Sequence, residues 1–217
     1  MTYRLCVIVL LSMAAIAAAF KLGISPSFAS LEPSPPARHI NLAVRFVVYK
    51  DAIGNPVTSQ SEVLHDLDQT NRLWSQCNIS FQMDQYIPVS PPDAHLTYGP
   101  SNYTDLDLIR GTYLSNEDLL VVVTGKWDRA GTLGTTPANA WTSLPGVPPY
   151  GAVLEQPVGN YANMIAHELG HYLSLDHVND RSALMNPIIY RDSVKIYDGE
   201  CAKARTAALQ YWGKMIH

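Results

Sequence analysis

The sequence predicts an α/β (α+β) domain, a twisted mixed sheet layered with helices, on three observations. INLAVRFVVYKD from Ile40 has strand composition, with Leu42, Val44, Phe46 and Val48 on one side. Val63, Leu67, Thr70, Trp74 and Cys77 recur at helical spacing. LLVVVT at 119–124, five apolar residues and a threonine, reads as a buried strand. Strand, crossover helix and further strands in that order describe helices packed on a sheet. Composition agrees: the 217 residues are 47% apolar and 16% charged, which excludes a disordered solvating chain and leaves room for one domain.

The chain opens on Tyr3 and Arg4 before an apolar stretch from Leu5 to Phe20, closed by Lys21. Helical, this stretch spans roughly 24 Å, short of the ~30 Å hydrocarbon core, and the basic start matches an export signal. A signal peptide over 1–29 is expected, cleaved after Ala19 or Ala29; left uncleaved, it would anchor the chain to a membrane. Residues 30–39 (SLEPSPPARH) are Pro-rich and unpatterned, a linker. The folded domain is expected over 40–217. Removing Arg4 and Lys21 from 15 basic residues leaves 13 against 19 acidic ones, a net charge of −6. With no basic run, nucleic acid is not an expected partner.

After the first strand, Gly54, Asn55 and Pro56 turn the chain, and Ser59 with Glu62 forms a capping box for a helix over about 60–76. ISFQMDQYIPV (79–89) reads as a second strand, a short helix is expected at 105–110, and 119–124 is the third strand. Ten Gly or Pro residues fall between Gly131 and Gly159, so that stretch is irregular apart from pieces such as 151–156, a composition suited to cleft walls. Asn160 caps a helix from Tyr161 whose buried face is Ile165, Leu169 and Tyr172, and DGECAKARTAALQYW from Asp198 makes a closing helix. Cys77 and Cys201 are the cysteines outside the signal, and an oxidising compartment permits one bridge between them.

The chemistry lies in HELGHYLSLDH at 167–177. His167 and His171 are one helical turn apart and project from one face at a separation that a single metal bridges. Imidazole suits zinc, copper, iron or nickel, and three neutral ligands with an open position are the arrangement of catalytic zinc, the leading expectation. Glu168, rotated about 100° from His167, faces water beside the metal without ligating it and is placed as general base. His177 becomes the third ligand if the helix stops near Leu173 to Leu175 and the chain bends back. His39, His65, His95 and His217 lack such spacing.

The segment resembles the metzincin zinc endopeptidases, whose pattern is HExxHxxGxxH followed by a methionine-containing turn. SALMNP places Met185 eight residues beyond His177, and that wording and spacing resemble the matrixin (matrix metalloproteinase-like) branch most closely. The resemblance implies a metzincin-like catalytic domain with an active-site helix, a Met-turn and a C-terminal helix. It implies zinc on His167, His171 and His177, Glu168 as base and acid, Met185 as a floor beneath the metal, and a peptidase acting on peptide or protein; the export signal makes it a secreted one, and a monomer is expected. Tyr190 and Ile189 would line the pocket after the scissile bond, and 131–141 (GTLGTTPANAW) would be the edge along which substrate lies. The chain departs from the pattern at Ser174, where the family has glycine, and at Val178; Pro187 stands where astacins place a switchable tyrosine. No cysteine-bearing propeptide motif is present, so latency by that route is not expected. Two other functions share these residues: a zinc-binding module without turnover, and a zinc hydrolase of a non-peptide amide. Asp105 with Asp107, and Asp93 with His95, are sparse candidates for a second ion.

Overall fold

A computed structural model describes residues 38–135, 137–157 and 161–217; the expected signal peptide, nearly all of the linker and the Asn160 cap lie outside them. Five strands form one mixed sheet: β1 (Ile40–Tyr49), β2 (Ile79–Val89), β3 (Leu119–Thr124), β4 (Ala140–Thr142) and β5 (Ala152–Glu155). Their order is β2-β1-β3-β5-β4, with parallel pairing except between β4 and β5. The α/β mixed sheet read from the sequence is therefore the observed architecture.

Helices α1 (Gln60–Trp74), α2 (Tyr103–Tyr113), α3 (Tyr161–Tyr172) and α4 (Asp198–Tyr211) cover both faces. Leu42, Val44, Phe46 and Val48 of β1 pack with Val63, Leu67 and Trp74 of α1, Ile165 and Leu169 of α3, and Ala204 and Ala208 of α4. The alternate residues Val47 and Tyr49 join Leu106 and Ile109 of α2, Trp127 and Leu133 on the opposite face. β3 is buried at every position, and its first five residues are apolar, as burial on both sides requires.

Local chemistry sets the element ends. Ser59 Oγ accepts the Glu62 N–H at 3.3 Å while Glu62 returns a carboxylate oxygen to the Ser59 N–H at 2.7 Å, the reciprocal cap that starts α1. The helix stops at Trp74, two residues earlier than the spacing suggests; a tight turn over Ser75–Cys77 follows, and Asn78 at φ 54° leads into β2. Asn102 caps α2, which runs well beyond the expected 105–110. Cys77 and Cys201 are disulfide-bonded, joining the end of α1 to α4. Beside them Arg205 donates to the carbonyls of Cys77, Asn78 and Arg38. At the other end of the chain Ile216 bridges Leu42, and the His217 N–H donates to the Asn41 carbonyl at 2.9 Å.

The region of the expected edge strand differs most. Residues Thr132–Thr135 form a tight helical turn, and the edge strand takes up just the last two residues of 131–141 and continues to Thr142. Arg129 explains the turn: its guanidinium donates to the carbonyls of Leu133 and Ala138, folding the chain around itself instead of extending it.

Candidate metal centre

Helix α3 is fixed on three sides before any chemistry is placed on it. From α1, Thr70 and Trp74 donate side-chain hydrogen bonds to the carbonyls of Ala162 and Ala166, both at 3.1 Å. At its far end the Tyr172 hydroxyl accepts the Leu120 N–H at 3.0 Å and donates to the Leu120 carbonyl at 3.1 Å, anchoring the helix to β3. Trp212 donates to the Tyr172 carbonyl at 2.7 Å.

The helix ends in a left-handed cap. Ser174 adopts φ 64°, the Leu175 N–H reaches back to the Gly170 carbonyl at 2.9 Å and the Ser174 N–H to the His171 carbonyl at 3.0 Å. The chain therefore makes the turn that glycine makes most easily, with serine in its place, and His177 swings back toward His167 and His171.

The three imidazoles converge. His171 Nε2 lies 3.1 Å from His167 Nε2 and 3.2 Å from His177 Nε2. Among the described residues they are the one set of three or more potential ligands that gathers in this way. His167 Nδ1 faces the Leu184 carbonyl and His171 Nδ1 the Leu175 carbonyl, each at 2.8 Å. A carbonyl accepts and never donates, so both Nδ1 atoms carry the proton and both Nε2 atoms present lone pairs. Four-coordinate zinc at 2.0–2.1 Å from nitrogen separates its ligands by about 3.4 Å, so the donor set and the two spacings about His171 fit that ion, and all three donor atoms lie within 4.8 Å of one another. Burial, and then the neighbouring His171, push the His167 pKa down to about 4 and also lower that of His177, which keeps both rings neutral as ligands must be.

Glu168 is buried beside the triad, and burial raises its pKa, an effect opposed by His171, by a hydrogen bond from Thr142 and by His177. Thr142 Oγ1 donates to Glu168 Oε2 at 2.5 Å. Met185 is fully buried at the third position of a turn closed by the Asn186 N–H on the Ala183 carbonyl at 3.1 Å. A Cβ on Gly170 would sit 2.4 Å from Met185 Sδ, so the absence of a side chain there lets the turn press against α3. The same turn supplies the Leu184 carbonyl that holds His167.

The three histidines, Glu168 and Thr142 line a cleft of about 1120 Å³. Met164, Pro187, Ile188 and Ile189 give it an apolar part; at its other reach lie Lys126 and the ion pair of Arg129 with the buried Glu155. Tyr190 contributes no lining: its ring lies under the Arg181 guanidinium, 4.2 Å away, and Ile189 takes the cleft position. Of the candidate second-ion residues, the two carboxylates of α2 are already engaged, while the other pair is placed by its backbone alone. Asp105 accepts from the Ser101 N–H and hydroxyl, Asp107 pairs with Arg110, and Asp93 and His95 belong to a tight helical turn and its cap. Sequence reasoning missed Thr142 and the carbonyls of Leu184 and Leu175. The carbonyls leave no mark in side-chain identity, and Thr142 sits outside the motif.

Residues 55–202, more than half of the chain, match the peptidase M10 family model, Matrixin. Among solved structures, archaemetzincin from Methanopyrus kandleri aligns with TM-score 0.53 and 16% identity, covering 82% of this chain and 99% of that one. Metalloproteinase-II from Bacteroides fragilis aligns with TM-score 0.51 and 14% identity over 80% of this chain and 55% of that one. A chain from a chaperone-substrate complex aligns with TM-score 0.55 and 12% identity over 82% of this chain and 36% of that one, so this chain spans about a third to a half of the length of two of these structures. No curated protein sequence matches significantly. At these identities the likeness concerns the fold, which is of the metzincin type.

Proposed function

Since this chain belongs to the matrixin family, we propose that it is an exported zinc-dependent endopeptidase in which Glu168 is the general base. The observation that carries this reading is the convergence of three imidazole Nε2 atoms beside one buried carboxylate. His167, His171 and His177 would hold the ion. Bound there, zinc supplies a Lewis acid that lowers the pKa of water and polarises the scissile carbonyl. Glu168 takes the proton of the attacking water on its free oxygen Oε1 and later delivers it to the leaving amine. Its burial favours the protonated state needed for that second transfer.

Substrate binding is supported by the sheet. Strand β4 is the last in the order, and its register with β5 turns alternate backbone groups to the open edge, where an extended peptide adds as a further strand. Met164 and Ile189 offer an apolar surface to a side chain flanking the cleaved bond. Export is supported by the apolar stretch from Leu5 to Phe20 and by the Cys77–Cys201 disulfide, which suits an oxidising compartment.

The test pairs elemental analysis with digestion of a broad peptide library. One zinc per chain is expected, with cleavage abolished by a chelator and reduced about 10²–10⁴-fold in Glu168→Gln, which leaves zinc bound. Zinc retention without any cleavage would instead identify a binding module, and cleavage confined to non-peptide amides would identify the other hydrolase.

A further inference from the structure

We propose that Thr142 is a positioning residue for Glu168: its hydroxyl fixes the plane of the carboxylate so that Oε1 alone meets the substrate water. The proposal rests on the peptidase reading above and assigns to it a residue outside the zinc-binding motif.

The argument begins with satisfaction. Glu168 is 5% exposed, and among the described residues the Thr142 hydroxyl is the one group that hydrogen-bonds its carboxylate, at 2.5 Å to Oε2. An ionised carboxylate only accepts, so the hydroxyl is the donor. The terminal torsion of a glutamate is broad and roughly two-fold, so packing alone leaves the two oxygens free to exchange or tilt. A donor on Oε2 removes that freedom and distinguishes the oxygens: one is held, the other remains for the proton.

The donor is itself held. Threonine in a strand has a stiff χ1, which aims the hydroxyl without a search over rotamers. β4 is braced by β5, with the Glu155 N–H on the Asn139 carbonyl at 2.8 Å and the Ser143 N–H on the Gly151 carbonyl at 3.4 Å. The buried Arg110 adds a further donor to the strand, its guanidinium reaching the Trp141 carbonyl at 3.3 Å. Carboxylate and donor thus come from separate elements, α3 and β4, each anchored to the sheet, and the 2.5 Å contact is the join between them.

The test compares zinc-loaded Thr142→Val and Thr142→Ser with wild type on one extended peptide substrate. Valine keeps the branched shape and strand preference and removes the donor; serine keeps the donor. Thr142→Val should lower kcat about ten- to hundredfold, the loss of one hydrogen bond to a charged group, with KM and zinc affinity by chelator competition within about twofold. Thr142→Ser should restore most of kcat. Independently of turnover, the infrared carboxylate band assigned to Glu168 by difference against Glu168→Gln should shift in Thr142→Val and not in Thr142→Ser. A merely structural role would move zinc affinity or KM together with kcat, and that result overturns the proposal, as does an unshifted band. A wild type that never turns over removes the base and this proposal together. An active wild type beside an equally fast Thr142→Val removes the proposal and leaves the peptidase reading standing.

Discussion

Replacing Tyr172 by phenylalanine isolates the bond that seats the metal-binding helix on the sheet. β3 pairs with β5 only from Val121 onward, which leaves the Leu120 backbone beyond the end of that ladder. Tyr172 fills the gap, accepting from the Leu120 N–H and donating to the Leu120 carbonyl. Both residues are about 1% exposed, so water cannot replace the hydroxyl without entering the core. Phenylalanine keeps the ring and its packing, creates no cavity of consequence and orphans two buried backbone groups. At about 1–3 kcal/mol each, less the desolvation that the hydroxyl no longer suffers, the loss comes to about 2–4 kcal/mol. That is a large share of the 5–15 kcal/mol typical of a domain and corresponds to a fall in Tm of roughly 6–12 °C. Urea denaturation of metal-free, disulfide-intact protein measures it, with the midpoint falling and the m-value unchanged. A loss below about 0.5 kcal/mol would refute the reasoning, because it would mean that Leu120 finds other partners.

Ser174→Gly should raise stability by up to about 1 kcal/mol, since relief of a left-handed non-glycine residue, about 1–2 kcal/mol, exceeds the extra unfolded-state entropy of glycine; an unchanged or lower Tm would show the serine to be unstrained. In metal-free protein the folded pKa of His167, about 4, lies below its unfolded value near 6.5, so the unfolded chain binds more protons between those limits. Its contribution, on the order of 3 kcal/mol, is therefore complete above pH 6.5 and lost as pH falls toward 4. Urea midpoints across that range, referenced to His167→Asn, should show this slope, and parallel curves would count against it. Reducing the disulfide, which closes a loop with a sequence separation of 124, should cost about 2–5 kcal/mol, read as a drop in urea midpoint on adding a thiol reductant.

Much of the framework was legible because short-range signals and tertiary packing agree. The Ser59 and Glu62 cap, the alternation of β1 and the strands read at 79–89 and 119–124 each appear where the chain advertises them. The metzincin resemblance, read from HELGHYLSLDH and SALMNP, agrees with both the family match and the fold neighbours. What escaped reading depends on partners distant in sequence. β4 is three residues long and is defined by β5 and by Arg110, neither of which leaves a trace in AWT itself. The fold of 131–135 follows the Arg129 guanidinium and not the local composition. Tyr190 and Ile189 are adjacent, so a motif fixes their neighbourhood without fixing which of the two turns to the cleft; the cation–π contact with Arg181 decides it.

The bridge between Leu42 and Ile216, with the His217 amide on the Asn41 carbonyl, brings the start of β1 and His217 side by side. A short peptide joining His217 to Arg38 would close the domain into a ring with little rearrangement, and the ring could be reopened at the exposed turn over 52–55. Such a circular permutant would keep the cleft and every core contact, and it would let the domain be spliced into the surface loop of a host protein as a self-contained cassette.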